Sequence, residues 1–293
     1  NAAEGKKLLA EGPEVDGQVF YLAGCLWGDL TETIGASGKP TIMVDHLFAG
    51  SGEFLTSYAR SRREGHKVMA VSSSNFKDLV DAIKILECLH KLKESRALVV
   101  GNEPDPMIQQ VYGTQMLKVE FAEINDGYNK ASKKDVDACT DRWIKNAQKV
   151  IEPSREEIAK AAGMYLAMRT VMQNNQAQAI TVNCLGGIYS GKMVTAYPGL
   201  GVMQLVDDGL VGACEADQRS TMTKLLMTYL AGRPGFISDP VIDTAKNQII
   251  YAHCVAPTKM YGPDGPTNPY HIRDHSEDRT GACTPWLLPL GAM

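Results

Sequence analysis

Leu210-Val211-Gly212-Ala213-Cys214-Glu215-Ala216-Asp217 is a short apolar run that ends in acidic residues and follows Asp208-Gly209. An apolar run bounded this way predicts a buried strand of an α/β sheet. Asp217 is suited to cap the helix that follows, because its carboxylate can accept from the free N–H groups of a first turn. Met222, Leu225, Leu226 and Tyr229 recur at helical spacing over residues 220–230 and supply an apolar face to pack on that sheet. Glu215 is therefore expected at the carboxyl end of a strand, just before a helix, which is where open α/β sheets hold their ligands.

Downstream, residues 247–252 read as another strand, with His253 at its end, and Asp239 falls in the Gly/Pro-bounded loop Gly235-Phe236-Ile237-Ser238-Asp239-Pro240. Two carboxylates and an imidazole meeting at one sheet edge suit a divalent metal of the Mn, Mg or Fe type. Each residue also has a plain structural role open to it. Glu215 can be a second helix-capping carboxylate, Asp239 before Pro240 a turn residue, and His253 a satisfied core histidine.

The same region resembles the L-fucose isomerase / L-arabinose isomerase family of metal-dependent aldose–ketose isomerases. The resemblance rests on Pro198-Gly199-Leu200 with Asp208-Gly209 downstream, Cys214-Glu215-Ala216-Asp217 as the family's Glu-x-Asp segment, Phe236-Ile237-Ser238-Asp239, and Ala252-His253-Cys254. It extends more weakly back to about residue 50. It implies that Glu215 and Asp239, 24 residues apart, are metal ligands and acid/base groups. It further implies His253 as a ligand or substrate contact, Mn²⁺ or a similar divalent ion such as Mg²⁺ as cofactor, and a homo-oligomer with active sites near subunit contacts. The reaction implied is interconversion of an aldose and a ketose through an enediol. The family closes its metal site with a histidine from a C-terminal domain, for which these residues offer no match, so the expectation is a fragment or one piece of a larger enzyme. Asp239 follows the fucose type and His253 the arabinose type, which leaves the sugar open.

Working outward, 293 residues suggest two α/β domains, divided here as 1–103 and 104–293. An apolar content of 44% is that of an ordinary globular protein, and no run approaches the length of a membrane span. A formal charge of −4 argues against general nucleic-acid binding. The seven cysteines, at 25, 88, 139, 184, 214, 254 and 283, form no Cys-x-x-Cys and read as reduced thiols of a cytoplasmic protein. No secretory signal is visible, and Asn1 in place of Met marks a trimmed, processed or incomplete beginning.

Along the chain, strands are expected at 18–23, 40–45, 67–71, 97–101, 116–121 and 178–183, alternating with helices that include 53–64 and 76–93. The fold expected is α/β, two doubly wound Rossmann-like domains with mainly parallel sheets. On the 76–93 helix Leu79, Ile83, Leu86 and Leu89 are the expected inward face. Ile158, Ala161, Ala162, Tyr165, Leu166 and Met168 fit one helical face, and the charges from 130 to 142 fit a solvated surface. Gly50-Ser51-Gly52-Glu53 at a helix start can hold a phosphate or sugar hydroxyl, with a flexible turn as the plain alternative. It lacks the dinucleotide Gly-x-Gly-x-x-Gly spacing, which disfavours a nucleotide-binding Rossmann protein. The related isomerases have a comparable loop, so Glu53 is a candidate substrate contact.

Residues 257–269 carry Pro257, Pro263, Pro266 and Pro269 with Gly262 and Gly265, and read as a loop. The polar segment His271–Arg279 is either an exposed charged loop or a ligand contact, with His275 and Arg279 as substrate-binding candidates and Arg273 and Arg279 as anion forks. The apolar stretch after Pro285 looks like the start of further structure. Besides the isomerase, a non-catalytic sugar-binding α/β protein is the other reading.

Overall fold

The computed structural model describes residues 1–12, 14–25 and 29–285, so the apolar stretch from Trp286 lies outside the described residues. The fold is α/β with mainly parallel sheets, in two compact units, Asn1–Lys91 and Leu92–Met293.

The first unit runs α1 (Ala2–Glu11), β1 (Gln18–Leu22), α2 (Asp29–Gly35), β2 (Thr41–Asp45), α3 (Ser51–Arg63), β3 (Val68–Val71) and α4 (Phe76–Glu94), whose last turn passes the division. Its sheet is parallel in the order β1-β2-β3, with Gln18 opposite Thr41 and Thr41 opposite Val68. β2 is buried along its whole length, because helices cover both of its faces. Ile42 and Val44 pack with Leu79 and Ala82 of α4, while Met43, pointing the other way, packs with Phe54 of α3. On α4 the inward face is Leu79, Ala82 and Leu86, whereas Ile83 and Leu89 are exposed. The small Ala82, silent in a pattern of large residues, marks where that face turns. The Gly50 turn is a close approach: a Cβ there would lie 2.1 Å from Leu22 O.

The second unit runs β4 (Arg96–Val100), α5 (Pro106–Tyr112), β5 (Gln115–Val119), α6 (Phe121–Lys130), α7 (Lys133–Asn146), β6 (Lys149–Val150), α8 (Arg155–Asn174), β7 (Ala179–Val182), α9 (Cys184–Tyr189), α10 (Gly199–Asp207), β8 (Val211–Cys214), α11 (Gln218–Ala231), β9 (Asp239–Asp243), β10 (Gln248–Ala252) and β11 (His271–Ile272). Four strands form a parallel sheet in the order β5-β4-β7-β8. The expected boundary after residue 103 thus differs from the observed division after Lys91. The apolar run 97–101 pairs with β5 and β7 and so joins the second sheet.

The core of this unit gathers Leu98, Val100 and Ile180 from the sheet with Ile158, Ala161, Met164 and Met168 of α8 and Trp143 of α7. α8 presents a buried face on nearly every turn, in line with the apolar spacing of its sequence. On β8, Gly212 leaves room for α10, since a Cβ there would meet Val202 at 3.1 Å. Residues 257–269 form a loop, as their prolines imply. That loop is anchored on the buried carboxylate of Asp207, which accepts from Thr258 N at 2.8 Å and Lys259 N at 2.9 Å.

One expected strand does not join the sheet. β10 pairs antiparallel with β9 in a separate two-stranded ribbon, Ala252 opposite Asp239. Asp239 therefore opens a strand and is not in a loop. The four-residue connection closes because Asp243 Oδ1 accepts from Ala245 N at 3.1 Å and Asn247 takes a positive φ of 50°. Both strands are largely exposed, which no strand inside a parallel sheet is.

Candidate active site

β8 ends at Cys214, and the chain turns there through two consecutive non-glycine residues in the left-handed region, Glu215 (φ 66°) and Ala216 (φ 52°). Each such residue costs on the order of 1–2 kcal/mol. The turn is held by Ala216 N donating to Val182 O at 3.1 Å, Asp217 N to Cys214 O at 3.2 Å, and Ser220 N to the Asp217 carboxylate at 2.9 Å. Asp217 is thus the N-cap of α11. The consequence is that Glu215 leaves the rim of the sheet half-exposed, its side chain 49% accessible.

The ribbon brings the other two groups to the same place. Asp239 at its first pair is open to solvent, while the ring of His253 immediately after β10 is 3% exposed. His253 Nε2 lies 3.4 Å from Glu215 Oε1 and 4.0 Å from Asp239 Oδ2. One donor atom from each of the three lies within 4.8 Å of the others. They border a cleft of about 480 Å³ that is also lined by Leu185, Arg273, His275, Arg279 and Cys283.

Burial pushes the Glu215 carboxyl up from its ordinary range, with neighbouring Asp239 adding repulsion and the His253 ring opposing it. His253 is pushed up as well, first because its ring hydrogen-bonds to Cys254 and then through the negative groups around it. His275 is raised by its own contact with Cys254, and Asp278 is held low by the phenols of Tyr189 and Tyr197.

Of the other expected contacts, His275 and Arg279 both border the cleft. They belong to a built turn rather than a loose charged loop: His275 N donates to Thr280 O at 2.8 Å, Arg279 N to His275 O at 2.9 Å, and Arg273 bridges to Cys283 on the return. Arg273, considered as an anion fork, grips Glu152 with its Nε 3.1 Å from both carboxylate oxygens. Glu53 lies in the first unit at the first turn of α3, 3% exposed, where it accepts from the Thr31 hydroxyl.

A group of thiols stands behind the carboxylates. Cys254 is faced by the thiols of Cys214 and Cys283 and the rings of His253 and His275, all of which favour its thiolate and push its pKa down. Cys214, through its contacts with Cys184 and then Cys254, and Cys283, through its contact with Cys254, are pushed up. All seven cysteines are free thiols, but four of them, 184, 214, 254 and 283, are neighbours in space. The sequence signal lay in the dipeptides Cys214-Glu215 and His253-Cys254. Each dipeptide sets a thiol beside a functional residue, and Cys254 lines the cleft together with His253.

No family model matches the chain. A sulfoquinovose isomerase of Clostridium sp. (strain MSTE9) is 24% identical over 184 residues, 57% of this chain and 39% of that protein. Sulfoquinovose isomerases of Priestia aryabhattai and Priestia megaterium are each 23% identical over 195 residues, 61% of this chain and 42% of theirs. The chain spans about two fifths of the length of the curated relatives it matches. The similarity is distant, and it supports a sugar isomerase in general; neither fucose nor arabinose stands in the names of these three.

Proposed function

We propose that this chain carries the acid/base centre of a metal-dependent aldose–ketose isomerase, with Glu215, Asp239 and His253 as its working groups. The observation that carries the reading is their convergence within 4.8 Å on the rim of one cleft, from positions far apart in the chain. Two carboxylates and one imidazole fit a hard divalent ion such as Mn²⁺ or Mg²⁺, and the exposed carboxylates leave it open to a ligand on the cleft side. Bound there, the ion supplies Lewis-acid polarisation of a sugar carbonyl.

The rest is done by side chains. Glu215 takes a proton from the carbon next to the carbonyl and returns it to the neighbouring carbon, so that the enediol collapses to the isomeric sugar. A carboxyl whose pKa is raised toward neutrality is better matched to both halves of that transfer. Asp239, next to Glu215 at His253 Nε2, moves the accompanying proton between the two oxygens. His253 turns Nε2 to both carboxylates and keeps them in register. His275 and Arg279, which also line the cleft, hold hydroxyl or anionic groups of the sugar, the guanidinium as a two-pronged donor.

Ketose formation from a panel of aldoses that includes sulfoquinovose, the sugar in the relatives' name, measured with and without Mn²⁺, tests the proposal. Mn²⁺-dependent turnover is the expected result. Binding of ion and sugar without turnover would replace it with the sugar-binding reading, and no binding of either would remove both.

A further inference from the structure

The imidazole of His253 has two faces, and only one of them serves the carboxylates. Nε2 points to Glu215 and Asp239, while Nδ1 lies 3.5 Å from Cys254 Sγ. Cys214, from the end of β8, brings its sulfur to the same place, and donor atoms of Cys214, His253 and Cys254 all lie within 4.8 Å of one another. We propose that Cys214, Cys254 and His253 Nδ1 form a second, thiolate-rich site for a soft divalent ion of the Zn²⁺ type, back to back with the carboxylate set.

The chemistry of the donors selects the ion. Two thiolates and an imidazole prefer Zn²⁺ over Mn²⁺ or Mg²⁺, the reverse of the preference of Glu215 and Asp239. Three protein ligands leave a fourth tetrahedral position for water or another ligand. The His275 ring also contacts Cys254, and among the described residues its buried Nδ1 has no hydrogen-bond partner, Asp278 Oδ2 being 3.6 Å away. The cleft offers a way in, since Cys254, His275 and Cys283 all border it. A ring that binds an ion through Nδ1 carries its proton on Nε2, and Glu215 is positioned to accept that proton and fix the tautomer, as carboxylates do behind metal-bound histidines. The site itself is independent of the isomerase proposal. That proposal adds one consequence: a neutral ring has one lone pair to give, so the two ion sets compete for His253.

The test uses the whole chain, reduced and stripped with a chelator, titrated with Co²⁺ as the spectroscopic probe and then with Zn²⁺. Expected are an intense near-ultraviolet thiolate-to-Co²⁺ absorption, its displacement by one equivalent of Zn²⁺, and protection of two thiols from a thiol reagent by Zn²⁺. The absorption should be lost in Cys214→Ser and in Cys254→Ser and retained in Glu215→Gln, with far-ultraviolet circular dichroism confirming that each variant folds. Absence of the thiolate absorption in the wild-type protein overturns the proposal even if the serine variants do not fold. So does an unchanged absorption in folded serine variants, or a Cys214–Cys254 disulfide formed with peroxide in a protein that takes up no Zn²⁺ when reduced. Because the readout needs no sugar, an inactive isomerase with an intact Co²⁺ spectrum would refute the proposed activity and leave this site standing.

Discussion

His253 Nε2 stands 3.4 Å from Glu215 Oε1, joining the end of an exposed ribbon to the end of a buried sheet strand. This contact makes Glu215→Gln the most informative single substitution. The amide keeps the shape and the left-handed turn but loses the negative charge and the proton shuttle. Turnover is expected to fall by at least about a hundredfold, the range of a lost general acid/base. Stability should move by less than about 1 kcal/mol, since the side chain is half in solvent. Steady-state kinetics beside a denaturant melt separates the two effects, and near-normal turnover would take Glu215 out of the mechanism.

Protons should compete with the hard ion at a higher pH than ordinary carboxylates would allow. His253 titrates above 6.5 and Glu215 above 4.5, and each must be unprotonated to act as a ligand. As pH falls through those raised values, protons occupy the donor atoms and ion affinity drops, first by about tenfold per pH unit while only His253 is involved. Asp239 and the Cys254 thiolate, the other groups around the ring, hold this proton in place. Mn²⁺ titrations between about pH 5.5 and 8 read the slope; a flat affinity over that span contradicts it.

Asp207 is a stability residue that a search for active-site carboxylates would misassign. It is buried at the end of α10, and burial pushes its carboxyl up while its hydrogen bonds to Thr258 and Lys259 pull it down. Asp207→Ala strands two backbone N–H groups and a hydroxyl, at an expected cost of roughly 2–4 kcal/mol. The 257–269 loop should open with it, which faster amide exchange at Thr258 and Lys259 would register. Unchanged exchange at those two amides would show that the loop is held by other contacts.

What the sequence disclosed and what it concealed divide along a physical line. Buried strands such as Thr41–Asp45 and Val211–Cys214 are legible because a strand covered on both faces needs an apolar run, here Ile42-Met43-Val44 and Val211-Gly212-Ala213. Asp217 is legible as a cap because the cap acts on its own first turn. The ribbon is not, because Val241, Ile242, Ile249 and Ile250 look like sheet residues although they are exposed, and their partner is chosen by the turn at Asp243. The left-handed pair Glu215-Ala216 is hidden for another reason: neither is a residue that advertises positive φ. The thiol cluster joins residues from four separate segments, so no local pattern encodes it.

Lys224 gives the clearest link between charge and folding. Its ammonium is buried under β8 on α11, donating to the Gly212 carbonyl, and desolvation brings its pKa down from 10.5 to about 8. Below about pH 8 the lysine is charged in both folded and unfolded chains, so the folded state bears the full penalty, on the order of 3 kcal/mol. Between about 8 and 10.5 the unfolded chain binds more protons than the folded one, and stability rises with pH as the penalty is relieved. Lys224→Met removes the charge, fills the same space, and leaves the Gly212 carbonyl without its donor, a loss of about 1 kcal/mol. The variant is therefore expected to be more stable than the wild type by roughly 1–3 kcal/mol at neutral pH, with the advantage shrinking as pH approaches about 10.5. Taking the difference between the two proteins cancels the titration of groups they share, including most of that of the buried thiols. Urea melts of both proteins from about pH 7 to 10.5 measure it, and a difference that stays constant with pH would mean that the buried ammonium carries no such penalty.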